Sequence, residues 1–211
     1  NKDQMLKLVF QSSKLTFFLM YFISFPLILE MPFVMKVWLK QIPEDAILYT
    51  RLVLVDIMID SISYPLMTAA QATGKIKVYQ AVVGGFLLLN LPCSYIALEL
   101  GAPAQSVLVI AIVITTLAFI IRLIIVRRLL DFPIKPFIQQ LIKPLIIACI
   151  ISVPLPLAIN LAMHESIVRF FLVIVVSMST IGLSFYFLAL QKDEQIILND
   201  IVHKKILSIR N

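Results

Sequence analysis

Charge is scarce in this sequence. Asp, Glu, Lys and Arg make up 14% of its 211 residues, and 61% are hydrophobic. Soluble domains run near ~25% charged and ~45–50% apolar, so an aqueous globular fold is excluded. A mean hydropathy of +1.00 points instead to an integral membrane protein. There are only two cysteines, Cys93 and Cys149, and both lie inside apolar runs. That argues against a disulfide framework and leaves them as small packing residues. The histidines are His164 and His203, and neither has a partner at metal-ligand spacing, so no metal site is expected. No Ser/His/Asp set, Walker loop or dinucleotide fingerprint is present. The expectation is therefore no catalytic residue, no enzyme activity, no cofactor and no ATP-driven pump. A secretory signal peptide is also missing.

The net charge of +6 does not indicate nucleic acid, because the cations do not cluster on a polar domain. They fall at the ends of apolar runs, where they set topology. Six such runs reach the ~20 residues a helix needs to cross a hydrocarbon core. They span 15–35, 46–70, 78–100, 104–126, 137–163 and 167–190. The short connections hold the turn residues: Pro43 with Glu44 and Asp45, then Gly74, Gly101 with Pro103, and Asp131 with Pro133 and Pro136. The fold expected is all-α, a polytopic membrane helix bundle over 1–190. Alternating sides along the spans leaves Lys36, Lys40, Arg51 and Arg169 on one face of the membrane and the other fourteen of the 18 Lys and Arg on the opposite one. The positive-inside bias then places both termini in the cytoplasm. Residues 191–211 carry Ile197, Leu198, Ile201 and Val202 at helical spacing around Lys204 and Lys205, which fits an amphipathic cytoplasmic tail.

Several spans hold prolines away from their first turn: Pro26, Pro32, Pro65, Pro92, Pro144, Pro154 and Pro156. In lipid these bend a helix, either as static kinks or where a bundle changes shape.

The second span carries the chemistry. Asp56 and Asp60 sit one turn apart on either side of its midpoint, Met58. A carboxylate at the centre of a membrane helix costs ~2.5–3.5 kcal/mol on insertion scales. Tyr49, Ser63, Met67 and Gln71 extend the same stripe. Such a stripe faces protein or water, as a proton or cation site or as the lining for a polar substrate. The alternative is a structural pair satisfied by hydroxyls or by an arginine from another helix. Arg122, one turn from the end of its span, reads as a residue that snorkels to the headgroups. Glu30 reads as interfacial. The turn Thr73-Gly74-Lys75-Ile76-Lys77 offers backbone N–H groups, a hydroxyl and two ammonium groups to a lipid phosphate, or serves as a basic topology anchor.

The run Asp60-Ser-Ile-Ser-Tyr-Pro-Leu-Met-Thr-Ala-Ala-Gln-Ala-Thr-Gly-Lys-Ile-Lys-Val-Tyr-Gln80 resembles the signature of bacterial O-antigen and capsular polysaccharide flippases. These belong to the multidrug/oligosaccharidyl-lipid/polysaccharide exporter superfamily. Pro26-Leu-Ile-Leu-Glu-Met-Pro-Phe-Val-Met-Lys-Val-Trp-Leu39 and Leu89-Asn-Leu-Pro-Cys-Ser-Tyr95 are similar to them too. The resemblance covers roughly 14–128 well and continues weakly beyond. It implies two six-helix lobes around a central cavity, and alternating access coupled to a proton or sodium gradient. The cargo would be an undecaprenyl-pyrophosphate-linked oligosaccharide crossing the bacterial inner membrane. This chain, which begins at Asn1 and not at methionine, would be the carboxy-terminal lobe of a longer protein. Its partners would be the lipid-linked oligosaccharide, membrane lipids and the other lobe. Asp56, Asp60, Ser63 and Gln71 would line the cavity, and Thr73, Gly74, Lys75 and Lys77 would meet the lipid phosphate. Competing readings are a cation-coupled drug exporter or peptidoglycan-precursor flippase of the same superfamily, a membrane-embedded glycosyltransferase or polymerase, and a non-transporting scaffold.

Overall fold

The computed structural model describes residues 2–74, 76–192 and 194–196. The expected amphipathic tail therefore lies almost wholly outside the described residues, as does Lys75. Among the described residues there are helices and no strands, and six helical stretches are long and apolar enough to cross a membrane. The fold is an all-α polytopic bundle.

The first span is one long helix, α1 (Lys2–Leu29), followed by the short α2 (Met31–Trp38). It starts well before residue 15, because the polar residues Gln11, Ser12, Ser13 and Lys14 continue the helix into the bundle instead of ending it. The second span is α3 (Ala46–Ser61) and α4 (Tyr64–Ala72); the third is α5 (Ile76–Leu87) and α6 (Asn90–Glu99); the fourth is the unbroken α7 (Ser106–Leu130). The fifth joins α8 (Ile134–Phe137), a π-helical turn at Ile138–Ile142, α9 (Lys143–Ser152) and α10 (Pro154–Ala162). The sixth is α11 (Ile167–Ser184), ending in a second π-helical turn at Phe185–Ala189.

The breaks have chemical causes. Pro32, Pro65, Pro144 and Pro154 each fall in the first turn of a restarted helix, where a missing N–H leaves no hydrogen bond unmade. Pro26 is different, since α1 runs straight through it. Four of the five connections between spans pass through a left-handed residue: Asp45 (φ 65°), Gly74 (φ 73°), Gly101 (φ 84°) and Asp131 (φ 49°). Glycine adopts this conformation without strain and aspartate tolerates it, so short reversals can be made there. The fifth connection ends instead on a capped helix, with Ser166 Oγ accepting from Arg169 N–H at 3.1 Å.

Packing divides the bundle into two groups. Helix α7 packs on α3, α4, α5 and α6, gathering spans two to four, while α9 and α10 pack on α11. Helix α1 touches α3 and α4 on one side and α10 and α11 on the other, and so joins the groups. An aromatic cluster closes the core at the end that carries the chain's N-terminus. There Phe10, Phe132 and Phe137 meet with ring centroids 5.2–5.5 Å apart. Further along, Phe18 and Tyr21 of α1 pack on Phe185. The third span is the least covered, with Leu88, Leu91 and Tyr95 each more than 60% exposed.

At the opposite rim, Lys36 and Glu165 form an exposed ion pair between α2 and the loop before α11. The Lys36 ammonium, hydrogen-bonded to it, holds the Glu165 carboxyl below the usual carboxylate range. A lowered folded-state value means the contribution is present above the ordinary carboxylate pKa and is lost as pH falls through the lowered one. Solvent screens the pair heavily. Lys36→Gln is expected to change stability by no more than about 1 kcal/mol, read from the thermal unfolding midpoint in detergent micelles. A larger loss would give this pair a structural weight its exposure does not suggest.

Candidate functional site

The carboxylates of the second span sit where that span is broken. Helix α3 ends at Ser61, and the chain resumes as α4 at Tyr64, with Ser63 N–H bonded to the Asp60 carbonyl at 2.8 Å. The interruption leaves Asp60 beside α7. There Arg122 Nη1 donates to Asp60 Oδ1 in a direct ion pair. The Arg122 side chain is 9% exposed and that of Asp60 is 28% exposed, so the pair is embedded on the arginine side and open on the other.

Arg122 therefore does not snorkel. Its apolar neighbours Leu123 and Val126 are buried with it, and pairing with Asp60 compensates its charge inside the bundle. The sequence-based assignment to the headgroups is corrected accordingly. The signal was present as a cation and a carboxylate inside two separate apolar runs, the combination that pairs across a membrane bundle.

Around this pair lie polar atoms with no hydrogen-bond partner among the described residues. They are Asp56 Oδ1, Ser63 Oγ, the Tyr79 hydroxyl and Arg122 Nε, all buried at the atom level. Tyr79, from α5, is 1% exposed, and both Arg122 and Asp60 act on its phenol electrostatically. Tyr64 sits at the open side, 50% exposed, where Asp60 and Arg122 act on its phenol electrostatically. The cluster thus draws on spans two, three and four. It holds two acids against one arginine and four unmet hydrogen-bonding positions. Buried polar groups cost free energy unless satisfied. Chemically, the arrangement suits a cation, a proton or a hydroxyl-rich ligand.

Two other polar residues of the second span stand outside it. Arg51 turns away, its Nε donating to the Ile28 carbonyl of α1 at 2.9 Å. Gln71 is half-buried but lies about 16 Å beyond Asp60 along the helical rise, so it does not share the cluster.

The basic turn is likewise separate. The Thr73 hydroxyl donates to the Ala70 carbonyl at 2.7 Å, closing the turn locally. Gly74 supplies the left-handed residue, and a Cβ built there would meet nothing within 4 Å. Its glycine thus serves backbone conformation and not close approach. Lys77 is exposed and Lys75 lies outside the described residues.

A second buried polar group escaped the sequence reading. Glu30 stands just past the end of the first span, as read from the sequence, but it is fully buried in protein and joins three spans. Arg169 Nη2 donates to Glu30 Oε2 at 2.9 Å and Asn160 Nδ2 to Oε1 at 2.9 Å. Arg169 Nη1 also donates to the Met163 carbonyl at 3.1 Å. Charge-assisted bonds of this kind are the strong ones, and every Glu30 oxygen is engaged. This is a clamp between the first, fifth and sixth spans, although Arg169 Nε is buried without a partner among the described residues. A third internal pair, Lys14 Nζ to Glu194 Oε2 at 2.6 Å, ties α1 to the end of the sixth span.

Fold and site together define a multi-pass α-helical membrane protein with a charged, partly open cluster inside the bundle. Comparison with protein-family models, with curated proteins and with solved structures finds no match. No group of three or more His, Cys, Asp or Glu side chains suited to a metal occurs among the described residues.

Proposed function

We propose that this chain is one lobe of a membrane transporter that moves a lipid-linked oligosaccharide from the cytoplasmic to the outer leaflet of the bacterial inner membrane. The observation that carries the reading is the Asp56–Asp60–Arg122–Tyr79 cluster, which is charged, incompletely hydrogen-bonded, and open at Asp60 and Tyr64. Ionisable groups at membrane depth that are neither fully paired nor lipid-facing mark substrate or ion pathways. The resemblance of the run 60–80 to polysaccharide flippases selects the cargo, an undecaprenyl-pyrophosphate-linked glycan whose hydroxyls match the unmet donors and acceptors. The second lobe would close the cavity on the Asp60 side. Both termini of this chain lie in the cytoplasm in this reading, and a proton or sodium gradient drives the cycle.

The ion pair divides the labour between the two acids. Asp60 is held by Arg122 and maintains the site's shape, while Asp56 has an unpartnered oxygen and contacts cargo or coupling ion. Asp56→Asn is expected to lower surface polysaccharide severalfold in cells while leaving membrane insertion and the detergent unfolding midpoint unchanged. Asp60→Asn is expected to lower both transport and the midpoint. Normal surface polysaccharide in the Asp56→Asn cells would assign the cluster to structure alone.

A further inference from the structure

The rim that carries the N-terminus also holds a cleft outside the proposed transport site. The last turns of α7 present Ile124, Arg127 and Arg128 at i, i+3 and i+4, so they share one side of the helix. The chain then reverses through left-handed Asp131 and re-enters the bundle at α8. This reversal is pinned from within. Phe132 and Phe137 are at most 2% exposed and close on Phe10 of the first span, and Pro133 and Pro136 fix the backbone between them. A turn held at both ends keeps the cleft on its outer side preformed, which lowers the ordering cost of filling it.

That cleft has a volume of about 590 Å³ and is lined by Arg127, Lys135 and Gln139 with Ile134 and Ile138. Its lining among the described residues contains two cations and no acid. A neighbouring cleft of about 520 Å³ shares Arg127 and Phe132 and is lined also by Ile124, Arg128 and Asp131, so an acid stands among its cations. The first is therefore the anion-seeking one. Both cations are exposed, and in the same lining stand Ile134, half-buried, and Ile138, 46% exposed. Cations and isoleucines meet here at the ends of two membrane spans. A free phosphate would use the cations and leave the isoleucines in water. An amphiphile with a phosphate head uses both.

We propose that this cleft seats the headgroup of an anionic phospholipid, with Arg127 and Lys135 on the phosphate, Gln139 on its polar substituent, and Ile134 and Ile138 along the first acyl carbons. Bound there, the lipid braces the joint between the fourth and fifth spans, next to the π-helical turn where the fifth span departs from regular geometry.

The test uses the purified full protein in neutral detergent, with thermal unfolding followed as phosphatidylglycerol is added. The controls are phosphatidylcholine with the same acyl chains and inorganic pyrophosphate. Phosphatidylglycerol is expected to raise the midpoint more than either, with an effect that shrinks as salt shortens the screening length. Each cation near an anionic lipid is worth about fivefold in affinity. Lys135→Gln should therefore weaken the apparent lipid affinity about fivefold, and Arg127→Gln/Lys135→Gln about 25-fold, while Lys40→Gln on the opposite rim changes nothing. If the double variant does not yield folded protein, the exposed single variant Lys135→Gln decides. Equal stabilisation by phosphatidylcholine would remove the headgroup from the argument, and equal stabilisation by pyrophosphate would replace the lipid by a free phosphate. An unchanged lipid response in Lys135→Gln would place the lipid elsewhere. Each of these three results overturns the proposal.

Discussion

Arg169→Ala is expected to destabilise the bundle by about 3–5 kcal/mol, the range for stripping one partner from a buried ion pair. Glu30 has no exposed surface, and its carboxylate relies on Arg169 and Asn160 for compensation. Remove the guanidinium, and the acid must stay charged among apolar helices or take up a proton. The Met163 carbonyl loses its donor as well. Because a domain holds only ~5–15 kcal/mol in total, the loss is a large fraction of its stability, and the variant should unfold at a much lower midpoint and elute partly as aggregate. Removing both charges together is a different matter. Glu30→Met/Arg169→Met replaces the pair with apolar side chains of similar length, a change that is often neutral or favourable when the new groups pack. The double variant is therefore expected to recover much of what Arg169→Ala loses. Size-exclusion profiles in mild detergent and thermal midpoints for the single and double variants decide the matter. An unchanged thermal midpoint in Arg169→Ala would show that Glu30 draws its stability from elsewhere.

Arg122→Gln is the second large effect, at about 2 kcal/mol. It falls below the range for a fully buried pair because the Asp60 side chain keeps 28% of its surface and solvent screens its charge. Arg122 is the more enclosed partner, so Asp60→Asn should leave the costlier orphan, a buried guanidinium. A double-mutant cycle with Asp60→Asn and Arg122→Gln measures the coupling directly, and a value near zero would mean that the two side chains do not depend on each other. Transport should fall in every member of the cycle, because the arginine also fixes where Asp60 presents its carboxylate. Stability and transport are thus expected to separate in the double variant, with the first partly restored and the second not.

The number of spans was legible in the sequence because length and hydropathy alone decide whether a segment can cross a bilayer. Five of the six spans begin or end within a few residues of the pattern; the exception is α1, whose polar early turns look like a rim and are in fact part of the helix. The prolines announced the breaks correctly in most spans, since a residue without an N–H must either start a helix or interrupt one. Pro26, expected to bend its helix, does not end it, and α1 continues through that position. The acidic stripe on α3 was legible too, as two charges with no business in hydrocarbon.

Which cation answers which acid was not legible. Arg122 lies 62 residues from Asp60 and Arg169 lies 139 from Glu30, and nothing local links either pair. Hydropathy sums over neighbours in sequence, while ion pairing depends on neighbours in space. Both arginines accordingly read as topology signals at span ends, and Glu30 as interfacial. Composition and periodicity by themselves determined a six-span, all-helical membrane protein with acids at its centre, because a bilayer constrains every segment separately. Only the tertiary structure decided that one acid is compensated, one is left with an unmet oxygen, and a third is locked into a clamp, because compensation of charge at low dielectric is settled within a few ångströms by whichever helix packs alongside.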